Sequence, residues 1–128
     1  MRLTEHQLAT ELHVQNTSTS DGLEFQALFH NYFCAPSSEV LISPLHHQSY
    51  YDKTAPTEEE RSTLKEETRV EVDVKKYTDF VYENAPQDYE VTWPQGGIAI
   101  KTVKLKDLVV WNPQETGSKI ADMEDGGW

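Results

Sequence analysis

A few histidines and aspartates in this sequence could exchange protons or hold hydroxyl groups. His30 lies in an aromatic-rich run at residues 25–33, and an imidazole, with an ordinary pKa of about 6.5, gives and regains a proton at neutral pH. Asp79 and Asp73 lie in runs of alternating residues, and a carboxylate accepts hydrogen bonds from two hydroxyl groups. Residue type alone favours a structural histidine at position 30 and a turn or edge residue at position 79.

Two further features invite a chemical interpretation that their neighbours do not support. His46 and His47 are adjacent, so on a strand their rings would point to opposite faces, and no Cys, Asp or Glu completes a metal-binding set. We expect a polar loop there and no metal. Cys34 is the single cysteine, which excludes an internal disulfide and favours a reducing compartment. We expect a buried or half-buried thiol there rather than a nucleophile.

Length, charge and hydropathy exclude several classes of protein. The 128 residues suit one domain, and 11 basic against 22 acidic residues give a net charge of -11, which would repel a phosphate backbone. No stretch approaches the roughly 20 apolar residues that cross a bilayer, and the first residues lack the apolar core of a signal peptide. We therefore expect a cytoplasmic protein that binds neither nucleic acid nor membranes.

Period-two alternation of apolar and polar side chains predicts the elements that must position these residues. Strands are predicted at residues 8–14, 23–34, 40–42, 49–51, 69–74, 77–82, 89–93, 98–103 and 108–111. On the second of these, Gln26 and His30 would share one semi-polar face. Residues 57–60 fit either a capping box that opens one helical turn or an irregular loop. Short strands separated by turns predict an all-β protein with antiparallel sheets, as a sandwich or a barrel.

Four motifs, in order, resemble one family. They are FQALFHNYF at residues 25–33, YYDK at 50–53, VKKYTDFVY at 74–82 and DLVVWNP at 107–113. They are similar to the glucose-6-phosphate 1-epimerases, a branch of the aldose 1-epimerase (mutarotase) family, and most of all to its fungal members. The likeness spans nearly the whole chain.

The resemblance implies an antiparallel β-sandwich of the galactose mutarotase-like supersandwich type. It implies an isomerase that interconverts the α and β anomers of a hexose 6-phosphate without a metal or an organic cofactor, as a monomer when full length. His30 matches the family's general acid at the ring oxygen. Asp79 matches the carboxylate that holds sugar hydroxyls, with Asp73 as the second choice.

The resemblance also implies that part of the family's machinery has no match in this sequence. The family's glutamate base lies in a strand after the Asp-Gly-Gly-Trp region, and its phosphate-binding arginines and glutamine lie in its N-terminal half. Residues 43–47 also depart from the glycine-bearing turn that is usual there. We therefore expect residues 1–128 to be the C-terminal-half portion of one mutarotase-like domain, lacking its N-terminal part and final strands. Activity would then be impaired, and the alternative is a non-catalytic carbohydrate-binding or interaction module of the same fold.

Overall fold

The chain forms two compact units, Met1–Tyr32 and Phe33–Trp128. The computed structural model describes residues 1–120. Predictions that concern the Asp-Gly-Gly-Trp region fall outside the described residues.

The first unit contains little regular structure. Strands β1 (Arg2–Leu3) and β2 (Leu8–Ala9) pair antiparallel, and residues 10–32 form neither strand nor helix. The strands predicted at residues 8–14 and 23–34 are therefore wrong, except for the first two residues of the former. The reason is that a strand also needs a neighbour to bond its backbone groups, which alternation alone does not supply. Phe25 and Leu28 are accordingly exposed by 58% and 72%.

The described part of the second unit carries the remaining elements. In chain order these are β3 (Leu41–Ser43), β4 (Ser49–Asp52), α1 (Glu58–Arg61), β5 (Leu64–Glu66), β6 (Val72–Asp73), β7 (Thr78–Tyr82), β8 (Asp88–Trp93), β9 (Gly96–Lys101), β10 (Leu108–Asn112) and a 3-10 helix (Gln114–Lys119). Each of the other seven predicted strands overlaps one of these. The strand β5 was not predicted, because Leu64–Glu66 is too short and too charged to show alternation.

These strands form two four-stranded antiparallel sheets. The first sheet has the order β10-β7-β4-β5, and the second has the order β6-β3-β8-β9. The predicted all-β fold with antiparallel sheets is confirmed, and it agrees with a galactose mutarotase-like sandwich.

One apolar core joins the two sheets. Tyr82 and Val110 contribute from the first sheet, and Ile42, Val72 and Val91 contribute from the second. These side chains are buried because the inner faces of two packed sheets interdigitate.

The capping box predicted at residues 57–60 is present, so the helical alternative is confirmed. The Thr57 hydroxyl accepts a hydrogen bond from the Glu60 backbone N–H at 3.2 Å, and the Glu60 carboxylate accepts one from the Thr57 N–H at 3.2 Å. These two bonds satisfy backbone groups that a helix start leaves without intrahelical partners.

Candidate functional site

Asp79 lies on β7, a central strand of the first sheet. Its neighbours on that strand, Thr78 and Phe80, point to the opposite face, since successive side chains alternate across a strand. Because Phe80 packs against the core, Asp79 lies on the outer face and is half-buried there.

Two residues on neighbouring strands flank Asp79. Trp111 of β10 is directly opposite it in the register of the sheet, and directly opposite residues share a face. On the other side, the Lys53 backbone N–H donates to the Asp79 carbonyl oxygen at 2.8 Å, which continues the pairing one residue beyond β4. A row of an indole, a carboxylate and an ammonium therefore crosses three strands.

A second aromatic ring extends this surface. Tyr51 lies opposite Val81 on the same outer face, two residues before Lys53. The Lys53 ammonium lies over the Tyr51 ring, 4.7 Å from its centroid. We call Asp79, Trp111, Lys53 and Tyr51 the Asp79 face. Aromatic rings beside hydrogen-bonding and charged groups are the components of a small-molecule site.

The electrostatics of Asp79 differ from those of an ordinary surface aspartate. Burial raises the pKa of the Asp79 carboxyl, the positive charge of Lys53 lowers it, and the negative charge of Asp52 raises it, with a net increase above the ordinary value. The carboxylate accepts no hydrogen bond from any residue within 1–120. It is therefore available to hydroxyl donors from outside the chain.

Asp52 shows the opposite behaviour on the inner face of the same sheet. Burial raises the pKa of Asp52, but hydrogen bonds from Thr54 and Lys65 outweigh that effect, so the net shift is downward. The Thr54 hydroxyl donates at 2.6 Å and the Lys65 ammonium at 3.0 Å. The acceptors of Asp52 are thus used within the protein.

The second choice for the sugar carboxylate, Asp73, has a local partner. It lies on β6, at one edge of the second sheet, and its carboxylate accepts a hydrogen bond from the Lys75 backbone N–H at 3.2 Å. This contact is typical of an aspartate that stabilises a turn.

His30 lies in the first unit, in the segment without regular structure, and is exposed. Its ring contacts Tyr32 edge to face, with the centroids 4.9 Å apart. The face that His30 was predicted to share with Gln26 depended on a strand that does not form. The roles that the resemblance gives to His30 and Asp79 require both side chains to reach the same sugar, and this stays a prediction, because the two residues belong to different compact units.

The structure agrees with part of what was predicted for His46 and His47 and differs in the orientation of their rings. His46 and His47 lie in a turn, as expected for a polar loop, but their rings do not diverge: they stack with centroids 3.8 Å apart, because they are not on a strand. Among the described residues, no group of three or more metal-binding side chains occurs.

Cys34 is exposed rather than buried, since it lies at the very start of the second unit and outside its core.

Sequence reasoning missed a buried ionic network beside the core. The Glu67 side chain, in a residue only 1% exposed, accepts hydrogen bonds from Tyr82 at 2.7 Å and from the Arg69 side chain at 2.8 and 2.7 Å. The Arg69 guanidinium also lies 5.5 Å from the centroid of the Phe80 ring. The spacing Glu-x-Arg permits such a pair, but nothing in the sequence brings Tyr82 to it.

An antiparallel sandwich with a half-buried carboxylate between aromatic rings is the kind of architecture that binds small polar ligands. The aldose 1-epimerase family model matches residues 1–127 of this chain, and the chain belongs to that family. No solved structure was found to match it. Membership of this family implies an epimerase-type function, which belongs to the isomerases, and a small-molecule carbohydrate as the substrate. In the described part of the chain, no helix has the length and apolar character to cross a membrane.

Proposed function

We propose that this chain belongs to a hexose-6-phosphate mutarotase, a glucose-6-phosphate 1-epimerase, in which Asp79 holds sugar hydroxyls and His30 is the general acid. The observation that carries the proposal is the ordered set of four motifs, three of which supply the Asp79 face. His30 comes from the first motif, Lys53 and Tyr51 from the second, Asp79 from the third and Trp111 from the fourth.

The chemistry needs two proton transfers around one bond. A general acid delivers a proton to the ring oxygen while a base removes the proton of the C1 hydroxyl, so that the C1–O5 bond breaks and an aldehyde forms. Rotation about the C1–C2 bond and closure then give the other anomer, with the protons returned. Each positioned proton transfer contributes on the order of 10² to 10⁴-fold.

The Asp79 face suits the positioning part of this reaction. Its carboxylate can accept two hydroxyl hydrogen bonds, which would fix the sugar ring relative to an acid. The two aromatic rings offer flat apolar surfaces beside that carboxylate, against which the C–H face of a sugar could pack. We propose Asp79 for this role ahead of Asp73, because Asp73 already accepts a backbone hydrogen bond.

We propose that residues 1–128 are one portion of a mutarotase-like domain. We also propose that the glutamate base and the phosphate-binding arginines lie in other parts of that domain, which have no counterpart among these 128 residues. We also propose that the complete protein is a cytoplasmic monomer. Light scattering and fractionation of cells that express the complete protein test these two points.

Exchange NMR of glucose 6-phosphate tests the proposed activity, because it measures the interconversion of the two anomers at equilibrium. We expect acceleration by the complete protein, and stronger acceleration of glucose 6-phosphate than of glucose. If the complete protein binds these sugars without accelerating exchange, the alternative of a non-catalytic carbohydrate-binding module is correct.

A further inference from the structure

Strand β9 is the longest edge strand of the two four-stranded sheets. Edge strands usually carry charges, a proline or a bulge, which discourage pairing with another chain. β9 has neither a proline nor a bulge, and its one charged residue, Lys101, lies at its end and forms an ion pair with Asp88 at 3.2 Å. In a chain with a net charge of -11, this edge is close to neutral, so another strand can approach it.

The backbone of β9 has hydrogen-bonding groups that no residue within 1–120 uses. The Thr102 N–H, directly after β9, donates to the Gln87 carbonyl oxygen at 2.7 Å, so the backbone groups of Thr102 point toward β8. Because these groups alternate in direction along a strand, every second residue before Thr102 also points toward β8. The residues between them point away from the sheet and make no backbone hydrogen bond; they are Gly97, Ala99 and Lys101.

We propose that β9 pairs in the antiparallel direction with β9 of a second copy of this chain, about a twofold axis at Ala99. In this register Ala99 lies opposite Ala99 of the second copy, and Gly97 lies opposite Lys101. All the outward-pointing residues of β9 then exchange backbone hydrogen bonds with the second copy. Moving the axis by one residue in either direction would leave one of them opposite a residue outside β9. The Ala99 register therefore forms the most hydrogen bonds.

The side chains on the core side of the sheet fit the same register. Ile98 and Ile100 lie opposite Val91 and Tyr89 of β8, and both isoleucines are half-buried. In the proposed pair, Ile98 lies opposite Ile100 of the second copy. β-branched side chains directly opposite each other stabilise a sheet, so the pairing would cover apolar surface that one copy leaves exposed.

The charges on the outer side of the sheet stay apart in this register. Each Lys101 lies opposite Gly97, which has no side chain to obstruct it, and the two lysines are about 13 Å apart along the strands. An axis at Lys101 would instead place the two lysines directly opposite each other, which destabilises a sheet. The pairing is closed at two copies, because the same edge of each copy is used up.

This inference goes beyond the proposed function and does not depend on sugar binding. It concerns the 128-residue chain. The monomer proposed above is the complete protein, in which a further strand of the domain would occupy the same edge.

Hydrogen exchange followed by NMR tests the pairing at single amides of the 128-residue chain. The amides of Gly97, Ala99 and Lys101 should exchange slowly in a concentrated sample, where the pair forms, and fast in a dilute one. The amides of Ile98 and Ile100 should be protected in both samples, since they bond to β8. Sedimentation velocity should show the mass of two chains in the concentrated sample.

Substitutions at Ala99, whose side chain is exposed, test the register. Ala99→Lys places like charges opposite each other at the axis and should raise the dissociation constant of the pair about fivefold. Ala99→Glu should have the same effect, and an equimolar mixture of the two variants should restore pairing, because opposite charges then meet. Leu64→Lys is the matched control, because it adds the same charge to β5, an edge strand of the other sheet, and it should leave pairing unchanged.

Several outcomes would overturn the inference. One is a chain that stays a single copy at every concentration, and another is pairing that Ala99→Lys leaves unchanged or that Leu64→Lys weakens equally. Assemblies that grow beyond two copies would contradict the closed pair. If the Ala99 variants do not fold, the unmodified chain decides the question: an Ala99 amide that exchanges at the same rate in both samples shows that β9 is not the interface.

Discussion

Two aspartates on opposite faces of one sheet differ in what they offer to a ligand. Asp52 is fully engaged by Thr54 and Lys65, which hold its pKa down despite burial. Asp79 has a raised pKa, chiefly because of burial, and accepts no hydrogen bond from the described residues. A carboxylate that is partly desolvated and not bonded reduces stability when it ionises, so its presence suggests a use outside folding.

Asp79→Asn should weaken sugar binding and turnover without lowering the stability of the protein. A carboxyl whose pKa is raised on folding contributes stability that is present below its unfolded pKa and lost as pH rises through the folded value. At pH 7 the unmodified protein has lost that contribution, so the variant should be at least as stable. Denaturant unfolding at pH 7 and sugar titration measure the two effects.

Asp52→Asn is the control for that substitution. Thr54 and Lys65 bond different oxygens of Asp52, and the substitution removes the negative charge and one of these two acceptors, so it should lower the free energy of unfolding at pH 7. If Asp79→Asn destabilises the protein as much as Asp52→Asn does, Asp79 has a structural role instead.

His30→Asn should remove most of the catalytic rate of the complete protein while leaving its folding nearly intact. Asparagine keeps hydrogen-bonding capacity but cannot exchange a proton near pH 7, so a loss on the order of 10² to 10⁴-fold in turnover is expected. His30 is exposed, so the melting temperature should change little. His13→Asn, another exposed histidine of the first unit, should leave the rate unchanged. An active His30→Asn protein would contradict the assignment.

At the scale of elements, β7 connects the core to the candidate site. Tyr82 at its end is fully buried and donates to Glu67, whereas Asp79 near its start faces outward. Burial raises the pKa of Glu67, but hydrogen bonds from Arg69 and Tyr82 outweigh burial, and the pKa is lowered. The network therefore holds β7 to the loop after β5 most strongly while Glu67 is ionised.

Glu67→Gln should lower the free energy of unfolding at pH 7 by about 2 kcal/mol, because it removes one charge of a buried pair. A carboxyl with a lowered folded pKa contributes stability that is present above its unfolded pKa and is lost as pH falls through the folded value. The difference from the unmodified protein should therefore shrink below the ordinary glutamate value of 4.5. Unfolding curves between pH 7 and pH 3 test this, with the exposed Glu71→Gln as control. A difference that does not depend on pH would contradict the ionic explanation.

Residues 10–32 should exchange their amide hydrogens much faster than β7. No backbone–backbone hydrogen bond is formed between residues of this segment, whereas β7 is bonded on both sides. An exposed amide that makes no hydrogen bond exchanges without any opening of the structure, whereas the bonded amides of β7 exchange only when the sheet opens. Hydrogen exchange followed by mass spectrometry distinguishes the two regions, and strong protection of residues 23–32 would show that the predicted strand forms after all.

For the whole molecule, we expect the 128-residue chain alone to accelerate glucose 6-phosphate mutarotation little or not at all. None of its residues matches the family's glutamate base or its phosphate-binding arginines, and an acid without a base supplies only half of the proton transfer. Polarimetry on this chain and on the complete protein tests this. Rapid mutarotation by the chain alone would show that it contains a base that the resemblance does not identify.

Much of the second unit could be predicted from the sequence, because the patterns that specify its strands and turns involve residues that are close together in the chain. Alternation at residues 77–82 and 108–111, turn residues between strands and the capping box at Thr57 each act within a few neighbours, so the all-β fold followed from them. The family motifs likewise named His30 and Asp79.

Tertiary structure alone decided which alternating segments became strands and which residues met. Residues 23–34 alternate as well as residues 77–82 do, but only the latter have neighbours on both sides to bond their backbone. The row of Trp111, Asp79 and Lys53 joins three strands that are distant in sequence, and its existence depends on the register of their pairing. Register and strand order are set by hydrogen bonds and burial across the sheet, which a linear pattern does not contain.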